Sequence, residues 1–275
     1  MLNILRTQLF KLKKSKAFWV LLALCAALPI LGILLLLGIG GLFDSIEGVG
    51  SFWDILGMAF DAQSSMTALV AYSSDSALMA MIFSAIILSR EFTQGTVRNT
   101  ILANKTRKQI FFAYFLTALI VGTSYFLVEY VTKLVLYGSI FGFGGLGIGD
   151  ATTAMLCYFA MGLCAVLVAE SCMCAFLFCT RKQSLTIVLP LLICLLVPSI
   201  VAGITELIVV ASSMNGNIPS ETVLQCLPFY NMQEAVLNID LPAGLNVGMI
   251  VLYDLVIAAA FFTMGFFAIK KADLK

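Results

Sequence analysis

Apolar residues in this chain gather into long blocks divided by short polar stretches. A bilayer core of about 30 Å takes about 20 apolar residues per helix, and six blocks reach that length: residues 17–39, 66–89, 110–137, 151–179, 185–211 and 246–269. Only one Lys or Arg, Lys133, falls inside any of them. The pattern predicts an all-α polytopic membrane protein, six transmembrane helices in a single transmembrane domain over residues 1–275. The first block follows Lys11, Lys13, Lys14 and Lys16 as the apolar core of a signal peptide would, but it exceeds the roughly 7–15 residues of such a core and no small-x-small cleavage site follows it. It reads as a retained span.

The charges between the blocks set an orientation. Arg6, Lys11, Lys13, Lys14 and Lys16 precede the first block, and Arg90, Arg98, Lys105, Arg107 and Lys108 lie between the second and third. Arg181 and Lys182 follow the fourth, and Lys270, Lys271 and Lys275 follow the sixth, so of the 16 Lys and Arg only Lys133 lies toward the other side. The opposite connections carry acids alone, among them Asp44, Glu47, Asp54, Asp61, Asp150, Glu221, Glu234 and Asp240. The positive-inside rule therefore places both termini in the cytoplasm.

The segments between the spans differ in kind. In residues 1–16, Leu2, Leu5, Leu9 and Leu12 with Ile4 and Phe10 alternate with Arg6, Gln8 and lysines, which predicts an amphipathic helix lying on the inner membrane surface. Residues 90–109 form the one cytoplasmic connection long enough for more than a turn. Gly95 and Thr96 can open a short helix carrying Val97, Ile101 and Leu102 as an apolar patch, and Thr106 with Gln109 forms a capping box that opens the third span. A short helix with three exposed aliphatics calls for a protein partner or the lipid surface to cover it. On the outer side, Ser51 and Asp54 cap a short helix with Phe52, Trp53, Ile55, Leu56 and Phe60, and residues 142–149 are glycine-rich punctuation.

Composition narrows the function. With 61% hydrophobic and 11% charged residues and a mean hydropathy of +1.04, a water-soluble enzyme is excluded. A net charge of +1 provides no basic field for nucleic acid. Histidine is absent, which removes the commonest general base and every His-containing triad or metal set. Of the 8 cysteines only Cys226 falls in a loop, so no disulfide framework is expected. Cys157, Met161, Cys164, Cys172 and Cys179 share one face of the fourth span; a soft-metal stripe and close helix packing both fit, and packing is the simpler reading, with no metal site assigned. Ser73, Ala77, Ala80 and Ser84 form a small-residue stripe on the second span, again a helix contact.

Acids within a span are functional candidates because they are costly there. Glu206 and Asp254 fall toward outer ends, where interfacial water accounts for them, and Glu129 can pair with Lys133 four residues on. Glu170, near the middle of the fourth span, and Asp75, among serines in the second, are left as candidates for an interior cavity, a substrate path or a helix contact.

The amino-terminal helix leading through Lys-Leu-Lys-Lys-Ser-Lys-Ala-Phe-Trp19, then Arg90-Glu91-Phe-Thr-Gln-Gly95-Thr96-Val-Arg98, then Lys105-Thr-Arg107-Lys108, resembles the permease subunits of type-two ATP-binding-cassette transporters. In that family a Glu followed by Gly-Thr opens the coupling helix that docks on a separate ATPase. The resemblance implies that Glu91, Gly95, Thr96, Val97, Arg98, Ile101 and Leu102 form the ATPase contact. It also implies that residues 212–245, broken by Pro228, form a re-entrant hairpin between spans five and six. Two ATPase copies, holding ATP and magnesium, and a second permease protomer, identical or a sister chain, would complete the assembly.

Three function classes are weighed. No Gly-Lys step occurs, so the phosphate-binding loop of an ATPase is missing, and an exporter permease needs its motor from another chain. An ion-gradient carrier would show broken helices in both halves; Pro190 and Pro198 interrupt span five, but spans one to three hold no matching pair. An intramembrane enzyme would need convergent nucleophile, base or metal ligands. The exporter reading is preferred: a non-enzymatic permease in a bacterial-type plasma membrane, moving an amphipathic or hydrophobic cargo such as a peptide, an antibiotic or a lipid-linked molecule.

Overall fold

The computed structural model describes residues 2–44, 74–93, 106–141, 148–180, 182–213 and 247–271. Every element among them is helical: α1 (Leu2–Lys14), α2 (Lys16–Asp44), α3 (Ser74–Thr93), α4 (Arg107–Phe141), α5 (Ile148–Thr180), α6 (Gln183–Ser213) and α7 (Val247–Lys271). The six longer helices fall on the six apolar blocks. Four of them hold stretches long and apolar enough to cross a membrane, Lys16–Leu35, Arg107–Leu136, Met155–Thr180 and Gly248–Lys270, and α6 contributes a shorter apolar run, Gln183–Val197.

The packing is uneven. α5 is the hub, touching α3, α4, α6 and α7, and its apolar stretch is 72% buried, against 17% for that of α2. Between lipid tails, exposed leucines have no drive to be covered, so helices associate where small residues allow close approach and shapes interlock. The predicted small stripe does this on α3, where Ala77, Ala80 and Ser84 are fully buried, Ser73 lying outside the described residues. Gly265 does it on α7: a Cβ there would lie 3.0 Å from the Ala175 Cα of α5 and 3.0 Å from the Phe111 ring. Around that contact Phe111, Phe115, Phe178, Phe262 and Phe266 form an aromatic cluster, with Phe115 edge-on to Phe262 at 4.9 Å between centroids and Phe111 against Phe178 at 5.1 Å.

Helix ends follow local chemistry. The Thr106–Gln109 capping box is present: Gln109 N donates to Thr106 Oγ1 and Thr106 N to Gln109 Oε1, both at 3.4 Å. Ser15 separates α1 from α2, its N–H bonded to the Leu12 carbonyl at 2.9 Å, and the Trp19 indole N–H bonds the Lys13 carbonyl at 2.9 Å, satisfying one of the last carbonyls of α1. Lys11, Lys13 and Lys14 in that last turn suit its negative dipole end.

Two expectations change. α1 does not rest its apolar stripe on lipid alone: Ile4, Gln8 and Leu12 are buried against the bundle, because a helix of 13 residues gains more from docking on α4 than from standing alone. Span five is not interrupted, since α6 runs unbroken through Pro190 and Pro198. A proline removes one hydrogen bond per site, and a helix in an apolar surround keeps the rest because nothing competes for them. The short outer helix at residues 51–60, the glycine-rich stretch up to residue 147, Cys226 and the hairpin at 214–245 lie outside the described residues.

Candidate functional site

α3 ends at the basic end of the bundle, where Arg90, Arg107, Lys108, Lys182 and Lys270 are exposed. Two residues before its terminus, Glu91 meets two other helices. Its Oε2 accepts from Gln8 Nε2 of α1 at 2.6 Å and from the Tyr114 hydroxyl of α4, and its Oε1 accepts from Lys11 Nζ of α1 at 2.9 Å. The Glu91 side chain is 13% exposed and that of Lys11 48%, so the clasp grades from bundle to solvent. Gln8 recurs at the same spacing as Ile4 and Leu12, which turns one amide inward along an otherwise apolar stripe. Tyr114 is held edge-on against Phe92 and Phe178 at 5.7 and 6.1 Å, so its hydroxyl has little freedom to leave the carboxylate.

Just beyond, residues 94–105 lie outside the described part of the chain, and with them Gly95, Thr96, Val97, Arg98, Ile101 and Leu102. Their two flanks are described and anchored. Glu91 ties the first flank to α1 and α4; at the second, Arg107 Nη1 donates to the Lys270 carbonyl at 3.0 Å, closing the last turn of α7.

Glu170 lies deeper, fully buried on α5. The Ser84 hydroxyl of α3 is 2.6 Å from its Oε2 and 3.0 Å from the Met81 carbonyl, with one proton for the two. Its Oε1 has no hydrogen-bond partner among the described residues. It points to the backbone of Gly122 on α4, where a Cβ would sit 2.6 Å from Oε1 and 3.0 Å from Glu170 Cγ and Val166 Cγ1. The absence of a side chain at 122 is what admits the carboxyl. Glu170 thus sits where α3, α4 and α5 meet. Asp75 belongs to α3, and its side chain, like that of Glu206 on α6, is outside the described atoms.

The remaining acids divide. Glu129 and Lys133 pair at 2.7 Å as their spacing predicted. Asp254, expected to be wetted near an outer end, is instead 5% exposed, because α7 turns that face to its neighbours. In the cysteine stripe of α5, Met161 and Cys172 are buried, Cys157 and Cys164 partly so, and Cys179 exposed. Sequence reading missed Gln8, Tyr114, Ser84 and Gly122 as partners. Only Gln8 carried a signal, as a lone amide on the apolar stripe.

These contacts join helices to one another. No curated protein and no solved structure matches the chain. The family described as ABC-2 family transporter protein matches residues 4–197, from α1 through the first half of α6, and so takes in the clasp, the segment beyond it and the Glu170 junction. Membership makes the chain a membrane component rather than the ATPase and implies an ABC ATPase partner in general terms. With its apolar helices and its match over more than half its length, this chain belongs to the ABC-2 transporter family and is a multi-pass membrane permease.

Proposed function

We propose that the chain is the membrane half of an ATP-driven exporter with six crossings and both termini in the cytoplasm. The family match carries this reading, and the lack of a Gly-Lys step in this sequence favours ATP and magnesium held by a separate subunit. Two such permeases, identical or sister chains, pair with two ATPases in a bacterial-type plasma membrane. The contact is the segment from Glu91 through Gly95, Thr96, Val97, Arg98, Ile101 and Leu102, with the aliphatics filling a groove on the ATPase. The anchored flanks at Glu91 and Arg107 support this, because a push on a segment held at both ends reaches α3, α4, α1 and α7 together.

The cargo is amphipathic or hydrophobic, a peptide, an antibiotic or a lipid-linked molecule, since the spans offer few fixed charges to coordinate an ion. Asp75 and Glu170 are the acids assigned to the cargo route or its conformational control. The buried setting of Glu170 favours control. The re-entrant hairpin at 212–245 closes the outer side.

The test is a detergent pull-down from native membrane, with an affinity tag inserted between Gly144 and Gly145 and ATPase activity as readout. An ATPase should copurify with the parent chain and be lost in a Val97→Asp, Ile101→Asp double variant. An ATPase retained by the double variant would remove the proposed contact, and none with either chain would remove the exporter reading.

A further inference from the structure

α1 buries one side and leaves the other bare. At about 100° per residue, Arg6, Phe10, Lys13 and Lys14 fall within an arc of about 100°, opposite Ile4, Gln8 and Leu12. Phe10 is 58% exposed, with Lys14 Nζ 4.6 Å from its ring centroid. Trp19, in the first turn of α2, is 52% exposed and is pinned to this face through its bond to the Lys13 carbonyl. Among the described residues the carboxylate nearest this helix, Glu91, is taken up by Gln8, Lys11 and Tyr114, and no acid pairs with Arg6, Lys13 or Lys14. From Trp19 an exposed apolar strip runs on along the same side of α2 through Ala23, Ile30 and Leu34.

We infer that this face is a binding site for an anionic phospholipid, with its headgroup phosphate among Arg6, Lys13 and Lys14 and an acyl chain laid along the α2 strip beyond Trp19. Charge complementarity and continuity both favour it over a protein partner. Three cations with no acid partner among the described residues surround exposed rings, which matches a phosphate above an acyl chain, and the apolar strip that continues the patch belongs to a helix long and apolar enough to cross the bilayer. Trp19 marks the boundary: its N–H is satisfied by protein, so its ring is free to meet the first methylenes of the chain. The inference rests on α2 being a membrane span and not on the direction of transport or the identity of the motor.

The chain has 2 tryptophans, so Trp53→Phe leaves Trp19 as the sole tryptophan, which is excited selectively at the red edge of the tyrosine absorption. This variant, purified at full length, is reconstituted into phosphatidylcholine vesicles containing the same minority fraction of brominated phosphatidylglycerol or brominated phosphatidylcholine. Trp19 emission should be quenched severalfold more by the anionic lipid. High salt, and separately Arg6→Gln, Lys13→Gln and Lys14→Gln combined, should bring the two lipids level while quenching by brominated phosphatidylcholine persists, which shows the chain still inserted. Equal quenching in the parent, a preference that survives both salt and substitution, or no quenching by either lipid would overturn the assignment. If the combined variant fails to reconstitute, the salt arm on the parent decides alone.

Discussion

Glu91 and Glu170 are both carboxyl groups at junctions of three helices, and they are held in opposite ways. At the basic end, Glu91 gathers an amide, an ammonium and a phenol, and part of its surroundings is wet. Inside the bundle, Glu170 has one hydroxyl and a notch, with an oxygen set against glycine backbone. The first junction is defined by charge and redundancy, the second by shape. Where water is near, losing one donor leaves the others and the solvent; where it is not, the fit itself has to be right.

If shape defines the inner junction, added volume is its worst insult. Gly122→Ala should destabilise the detergent-solubilised protein by as much as about 3 kcal/mol, the upper end for overpacking. Adding Glu170→Ala should return part of the loss. Strictly additive effects in that double-mutant cycle, measured by thermal unfolding, would break the shape account. Glu91→Ala comes next, at about 1–2 kcal/mol, since Gln8 and Tyr114 lose their common acceptor in a part-buried site. It should speed proteolysis at Lys13 and Lys14 by loosening α1, with Glu91→Gln intermediate; unchanged cleavage would show that the clasp does not hold the helix. Ser84→Ala should cost about 0.6 kcal/mol and at most about 1.7, the range for single hydrogen bonds between membrane helices. A larger loss would make the inner junction as polar in origin as the outer one. Smallest of all, Lys11→Met should shift stability by no more than about 0.5 kcal/mol, because its half of the ion pair is half exposed. A bigger shift would mean that the redundancy around Glu91 is only apparent.

The features legible in the sequence were those whose physics is local. Apolar length located six long helices, the Thr106–Gln109 box marked the start of α4, the spacing of Glu129 and Lys133 predicted their pair, and the small stripe on α3 predicted its contact. Periodicity marked an apolar stripe on α1 of which Ile4 and Leu12 are buried and Phe10 is exposed, and it did not show what would bury it. The same limit explains the junctions. Gln8 is 83 residues from Glu91 and Ser84 is 86 from Glu170, and no spacing rule links positions that far apart. Gly122 was illegible for another reason: a glycine in an apolar run reads as a neutral spacer until the neighbouring side chain is placed. Pro190 and Pro198 misled because a rule learned from water-exposed helices overstates how readily a helix breaks in an apolar surround.

The hydrogen bond from Arg107 to the last turn of α7 bears on how a load spreads through this molecule. The flank before residues 94–105 is tied to α1 and the flank after them to α7, so two helices far apart in sequence converge on the same connection. A load placed on α1 or on α7 would be felt at those two flanks as a weight on either end of a yoke is felt at its middle.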